Sequence, residues 1–212
     1  GVYTSGGFAA YFLLLTVVTP LTYTWIMWEY EYRVRGGTLS AALLRPVHPI
    51  HADIADNLSS KVVSTPGILL ATLILGVIFR PTFHLTGWAV ASFFPAVALA
   101  FFVRFFVEWT LAQSAFWTTR VYSLNEFFYA LGILFSGQFV PLELMPPVIQ
   151  RIASVLPFQF MRYFPVQLIL NEVPPQAILP TYALGIVWFL IMLGIFLAVW
   201  RAGVRRFSAV GA

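Results

Sequence analysis

Five long apolar runs constrain this chain more than any other feature of its sequence. A helix that crosses ~30 Å of hydrocarbon needs about 20 mostly apolar residues, and residues 8–28, 62–79, 88–117, 124–140 and 178–200 approach or exceed that length. Each run is hydrophobic all round instead of striped, as lipid and helix neighbours on every side require. Composition agrees: 60% of the 212 residues are hydrophobic, 9% are charged and the mean hydropathy is +0.85, whereas soluble domains carry about a quarter charged residues. A water-soluble fold would lack the polar surface to cover such a core. The expected fold class is an all-α integral membrane protein with about five transmembrane helices. Trp25, Trp28, Trp88, Trp117, Trp188 and Trp200 lie mostly near run ends, where amphipathic rings favour the headgroup layer.

Positive charge sets the expected orientation. Arg33, Arg35, Arg45 and Lys61 lie between the first two runs, Arg120 between the third and fourth, and Arg201, Arg205 and Arg206 in the tail. The opposite side holds Arg80, Arg151 and Arg162, so the larger set and the C-terminus are expected to be cytoplasmic. Five crossings then place Gly1 outside. The first run lacks the charged front of a signal peptide, so the parent chain is expected to have six spans. The basic residues separate apolar runs and form no basic face, which argues against a nucleic-acid partner. There is no cysteine, hence no disulfide and no thiolate metal site.

Three connecting pieces stand out. Residues 29–61 form the longest cytoplasmic segment, in which HPIHADIADNLSS reads as a short helix with Pro49 in its first turn. Ser123 to Glu126, SLNE, has the spacing of a capping box and predicts a helix start there. Residues 141–176 are too interrupted by Pro157 and Pro165 to span, yet Val148, Ile149, Ile152, Val155 and Leu156 give an apolar face. One or two short re-entrant helices dipping into the outer leaflet are expected before the last run.

The ordered set GGTLSAALLRPVHPI, FWTTR, SGQFVPLELMPP and LPFQFMRYFPVQLIL resembles the type-2 permease family of ATP-binding-cassette exporters. The resemblance covers most of the chain and implies a membrane subunit of a bacterial inner-membrane exporter. It also implies two permeases, identical or paralogous, assembled with two ATPase subunits that hold ATP and Mg²⁺. The residues support that division: no GxxxxGK[ST] loop is present, and the only lysine, Lys61, sits in NLSSKVV without glycines to cradle phosphate. The chain is accordingly expected to be neither an enzyme nor a holder of its own cofactor.

By the same resemblance, the segment after the first span acts as a coupling helix seated in a groove of the ATPase. Gly36 and Gly37 permit a sharp turn, Leu39, Leu43 and Leu44 offer an apolar face, Arg45 supplies a charged fork, Pro46 and Pro49 stiffen the exit, and His48 between them is counted with the ATPase contacts. An amphipathic linker lying on the membrane is the competing reading.

Arg104 and Glu108 lie i,i+4 within the third run and can pair on one helix face. Unpaired, either would cost ~2.5 kcal/mol or more at mid-membrane. They either line the substrate path or hold the third helix against a neighbour. Gly132, Ser136 and Gly137 suggest close helix packing, within the chain or at a permease dimer interface. His48, His51 and Asp53 have the residue types of a metal site, but Pro49 breaks their helical spacing and no metal is expected. An intramembrane enzyme lacks a nucleophile and base at one depth. A secondary transporter or channel is the stronger rival, without the paired broken helices that inverted repeats show.

Overall fold

The computed structural model describes residues 4–83, 85–118 and 121–206, and all regular structure among them is helical. Gly1 and Arg120, both used above to orient the chain, lie outside the described residues. Four segments are long and apolar enough to cross a membrane: Ser5–Val34, Pro49–Phe79, Gly87–Phe116 and Pro175–Val204.

The first of these is broken. Helix α1 (Ser5–Thr22) ends two residues after Pro20, and α2 (Ile26–Arg35) resumes after Tyr23, Thr24 and Trp25. Proline cannot donate to the helical ladder and crowds the preceding turn. Breaks of this kind survive in a membrane only where the freed backbone groups find partners inside the protein, and here Lys61 Nζ donates to the Tyr23 carbonyl at 2.8 Å. After α2 comes α3 (Thr38–Leu43), reached through Gly37 at φ 71°. Glycine takes that left-handed turn without steric cost, whereas Gly36 has an ordinary φ of −80°.

Helix α4 runs without interruption from Pro49 to Phe79. The stretch expected as a separate short helix is therefore its first turns, with Pro49 at the start as anticipated. Asp53, Asn57 and Lys61 are buried along this extension, and these inward polar contacts carry the helix past the apolar boundary near Val62. The apolar window of α4 buries nothing within the chain, so Val62, Val63, Leu70, Leu73, Val77 and Ile78 are exposed to lipid or to another subunit.

Helix α5 (Gly87–Ala112), continued by a 3₁₀ turn over Gln113–Phe116, is the central post of the bundle. Val103, Phe105 and Trp109 are fully buried on it. Without water to drive helices together, such a core holds by close van der Waals packing. Phe106 and Trp109 meet Phe196 of α10 (Pro175–Val204) with ring centroids 5.5 and 4.9 Å apart.

Helix α6 (Val121–Phe135) corrects two expectations. Ser123 and Glu126 lie inside it, so the SLNE capping box is not used as a cap. It also stops short of Val140: its 15 residues cover about 22 Å at 1.5 Å per residue. The stop is built by Gly137, at φ 72°, where an added Cβ would lie 2.5 Å from the Tyr11 hydroxyl. Tyr11 donates to the Gly137 carbonyl at 2.7 Å, and Ser136 accepts from Arg162 at 3.0 Å. This small-residue cluster thus packs inside the chain. Gly137→Ala is expected to destabilise the protein by about 1–3 kcal/mol through backbone strain and collision with Tyr11, read as a lowered unfolding midpoint in detergent; an unchanged midpoint contradicts this.

The segment before the last span holds three short helices, α7 (Pro147–Val155), α8 (Phe158–Met161) and α9 (Tyr163–Ile169). Of these α7 presents Val148, Ile152 and Val155 outward, while α8 and α9 are buried in the bundle against α5. Pro157 separates α7 from α8, and Trp188 of α10 donates to the Val155 carbonyl at 2.7 Å.

Candidate functional site

The break between α1 and α2 faces the two mid-span charges of α5. Arg104 Nε donates to Glu108 Oε1 at 2.6 Å, one turn along the same helix. Thr24, from the break, donates to the other carboxylate oxygen. The Arg104 guanidinium lies 5.0 Å from the Tyr23 ring, and Lys61 Nζ lies 4.7 Å from the ring of Phe101. A charge this deep is tolerated when paired and directed into the bundle, and Arg104 and Glu108 are 3% and 4% exposed. The expected pair is formed; what spacing alone did not show is that Glu108 also ties down the break.

These groups border a cavity of about 240 Å³. Tyr23, Thr24, Met27 and Trp28 come from the break and the start of α2, Arg104 and Glu108 from α5, and Asn125, Glu126 and Tyr129 from α6. Asn125 is 4% exposed, and neither of its side-chain polar atoms has a hydrogen-bond partner, nor does Arg104 Nη1. Burying such groups without a partner is costly, and together they form the polar part of the cavity wall. Lys61 and Arg162, expected as loop charges that set the topology, are both buried, and Asn125 is a buried polar residue that the charge pattern does not mark. The available signal was polarity within an apolar run: VYSLNEFF places Asn125 and Glu126 side by side.

A second cluster joins α2, α4 and α5. Arg33 donates to Asp53 at 2.5 Å and to Glu29 at 2.6 Å, and Trp109 Nε1 donates to the second Asp53 oxygen at 2.8 Å. Asp53, considered above only beside two histidines, is thus a buried tie that fixes the start of α4 against α5.

Between these helices lies the segment expected to couple. Leu39 is fully buried, a correction to its expected place on an exposed apolar face, and Leu43 is partly buried against the same core. A six-residue helix has room for one inward and one outward face, and here the leucines at positions 39 and 43 take the inward one. The outward surface is Gly36, Leu44, Arg45, Pro46 and Val47, with Leu44 88% exposed. Gly37, at the left-handed turn, is partly buried.

His48 is also turned inward. Its ring sits 4.4 Å from that of Trp200 and 5.9 Å from that of Trp109, and its Nδ1 accepts from the Ile50 amide at 3.2 Å as the cap of α4. Burial, reinforced by His51, pushes the His48 imidazole below its ordinary range. The unfolded chain therefore takes up a proton first on acidification, so the stability gained from neutral His48 is present above pH ~6.5 and falls below it. A pH titration of tryptophan fluorescence should show a step below pH ~6.5 that disappears in His48→Asn, which keeps a capping side chain; an identical step in the variant contradicts this assignment.

No curated protein and no solved structure matches the chain. The family model described as ABC-2 family transporter protein does match, over residues 2–211. Nearly the whole length is covered, all regular structure among the described residues is helical with four membrane-spanning candidates, and charged groups line a cavity between these helices; the chain belongs to the ABC-2 transporter family, as a multi-pass permease subunit that works with ATP-binding-cassette ATPase subunits.

Proposed function

We propose that two such permeases, identical or paralogous, form a translocation path driven by separate ATPase subunits that hold ATP and Mg²⁺. The path moves a hydrophobic or amphiphilic substrate outward across a bacterial inner membrane. Basic residues around residues 29–61 and in the tail favour a cytoplasmic location for both and for the C-terminus.

The observation that carries this reading is the physical link between the cavity and the exposed segment. Leu44, Arg45, Pro46 and Val47 project from a turn whose two flanks are anchored: Leu39 is sunk in the core on one side and His48 in an aromatic box on the other. From there α2 leads back to Thr24 and Trp28 at the cavity, and α4 leads to Lys61, which holds the Tyr23 carbonyl. A push on the exposed residues by an ATPase subunit is thereby passed to both ends of the α1–α2 break. Packed elements with anchored ends move as rigid bodies about such breaks.

Purification of the intact complex tests the proposal. An ATPase subunit should arrive in equal amount with the permease, and ATP hydrolysis should require that subunit. Its repeated absence from an active transporter overturns the reading.

A further inference from the structure

The cavity between the α1–α2 break, α5 and α6 has an imbalance of hydrogen-bonding and charge that names the chemistry of its ligand. Both oxygens of Glu108 are occupied, by Arg104 Nε and Thr24. The donors opposite are not: Arg104 Nη1 and Asn125 Nδ2 lack partners, as does the acceptor Asn125 Oδ1. Among the described residues, Arg104 and Glu108 are the buried ionic side chains that line this cavity; the buried cations Lys61 and Arg162 lie outside its wall, and Arg162 feels both Arg104 and Glu108 electrostatically. Arg162 spends one nitrogen on Ser136 while its Nε stays unpartnered. Asp53, the remaining buried acid, is committed to Arg33 and Trp109. The other carboxylate at the cavity, Glu126, lies on its exposed side. Low-dielectric surroundings magnify such a surplus of positive charge.

The surface beside the cavity is of the opposite kind. Trp28, Tyr122, Phe127 and Tyr129 are each about half exposed or more, with Trp28 and Tyr122 stacked edge to face at 5.2 Å. A polar recess with unpartnered donors on Arg104 and Asn125, next to an apolar aromatic strip, fits a molecule with an acidic head and a hydrocarbon tail. We propose that the recess is the head-group site for an anionic amphiphile. Its phosphate or carboxylate accepts from Arg104 Nη1 and the Asn125 amide, and its chain lies along Trp28, Tyr122 and Phe127. This deepens the permease reading and rests on it for the molecule's being cargo. A cationic amphiphile is disfavoured because Glu108, the buried carboxylate it would seek, is already neutralised by Arg104, with the further buried cations Lys61 and Arg162 behind the wall.

Equilibrium binding to the assembled transporter in a neutral maltoside detergent tests the site, with dodecyl phosphate, dodecyltrimethylammonium and inorganic phosphate as probes. Dodecyl phosphate should bind about tenfold or more tightly than either alternative, the factor expected of hydrogen bonds to a charged group. Asn125→Leu removes two unpartnered buried polar atoms and strands no protein partner, so it should fold at least as well as the parent yet lose about tenfold in dodecyl phosphate affinity. Asn125→Asp should lose more, through repulsion. Wild-type affinity in both variants, or equal binding of the cationic amphiphile, overturns the head-group site. Equal binding of inorganic phosphate shows that a free anion is recognised and overturns the amphiphile. Loss of the anion preference in a preparation that still holds its ATPase subunit discards this site alone and leaves the permease reading intact.

Discussion

Replacing Glu108 with alanine is expected to lower the stability of the detergent-solubilised protein by about 3–5 kcal/mol, and Arg104→Ala by a similar amount. Each substitution strands the other charge at 3–4% exposure inside the bundle, where neither water nor lipid headgroups solvate it. Glu108→Ala carries a further loss, because Thr24 then has no acceptor and the α1–α2 break is freed on one side. Replacing both members together, as Arg104→Met with Glu108→Leu, removes the uncompensated charge and should recover most of the lost stability. Reversible unfolding in mixed micelles reads all four proteins. Single variants as stable as wild type, or a double variant less stable than either single one, contradict the view that the pair is mutually compensating. Transport is the separate readout: a purely structural pair leaves the stable double variant active, whereas the proposed path loses its polar wall and its activity.

The pair Leu44→Asp and Arg45→Glu is expected to reduce permease-stimulated ATP hydrolysis by about tenfold or more, the size of effect that charge reversal at a central interface contact produces. Neither change should alter folding, since both side chains are exposed. Leu39→Ala provides the contrast. That leucine is fully buried, and its truncation should destabilise the protein by about 2–5 kcal/mol while any folded fraction couples normally. The opposite pattern, with coupling intact in the surface variant, assigns residues 36–48 to a linker resting on the membrane.

The membrane class and the helical fold were legible in the sequence because hydrocarbon imposes its length requirement directly on composition. The Arg104–Glu108 pair was legible for a similar reason: one helix turn separates the two, and few other partners exist at that depth. Less accessible was whatever depends on contacts distant along the chain. Nothing between Tyr23 and Trp25 marks a break except Pro20 upstream, and the lysine that stabilises it lies 38 residues away. The continuity of α4 through HADIADNLSSK follows from Asp53 meeting Arg33 and Trp109, which composition disguises as a polar linker. Leu39 and Leu44 carry identical side chains on one short segment, so only the packing of α3 against the core separates the buried one from the exposed one. The SLNE motif illustrates the converse, since capping-box spacing also occurs inside helices, where Ser123 and Glu126 are found.

Single-cysteine labelling tests the central claim, that the exposed turn after α3 lies on the ATP side and is covered by an ATPase subunit. The chain has no cysteine, so Leu44→Cys introduces a unique thiol. With a membrane-impermeant maleimide, intact cells should leave it unlabelled, inverted vesicles stripped of the ATPase should label it fully, and rebinding of the ATPase should protect it. Labelling from outside intact cells, or no protection by the ATPase, contradicts the account.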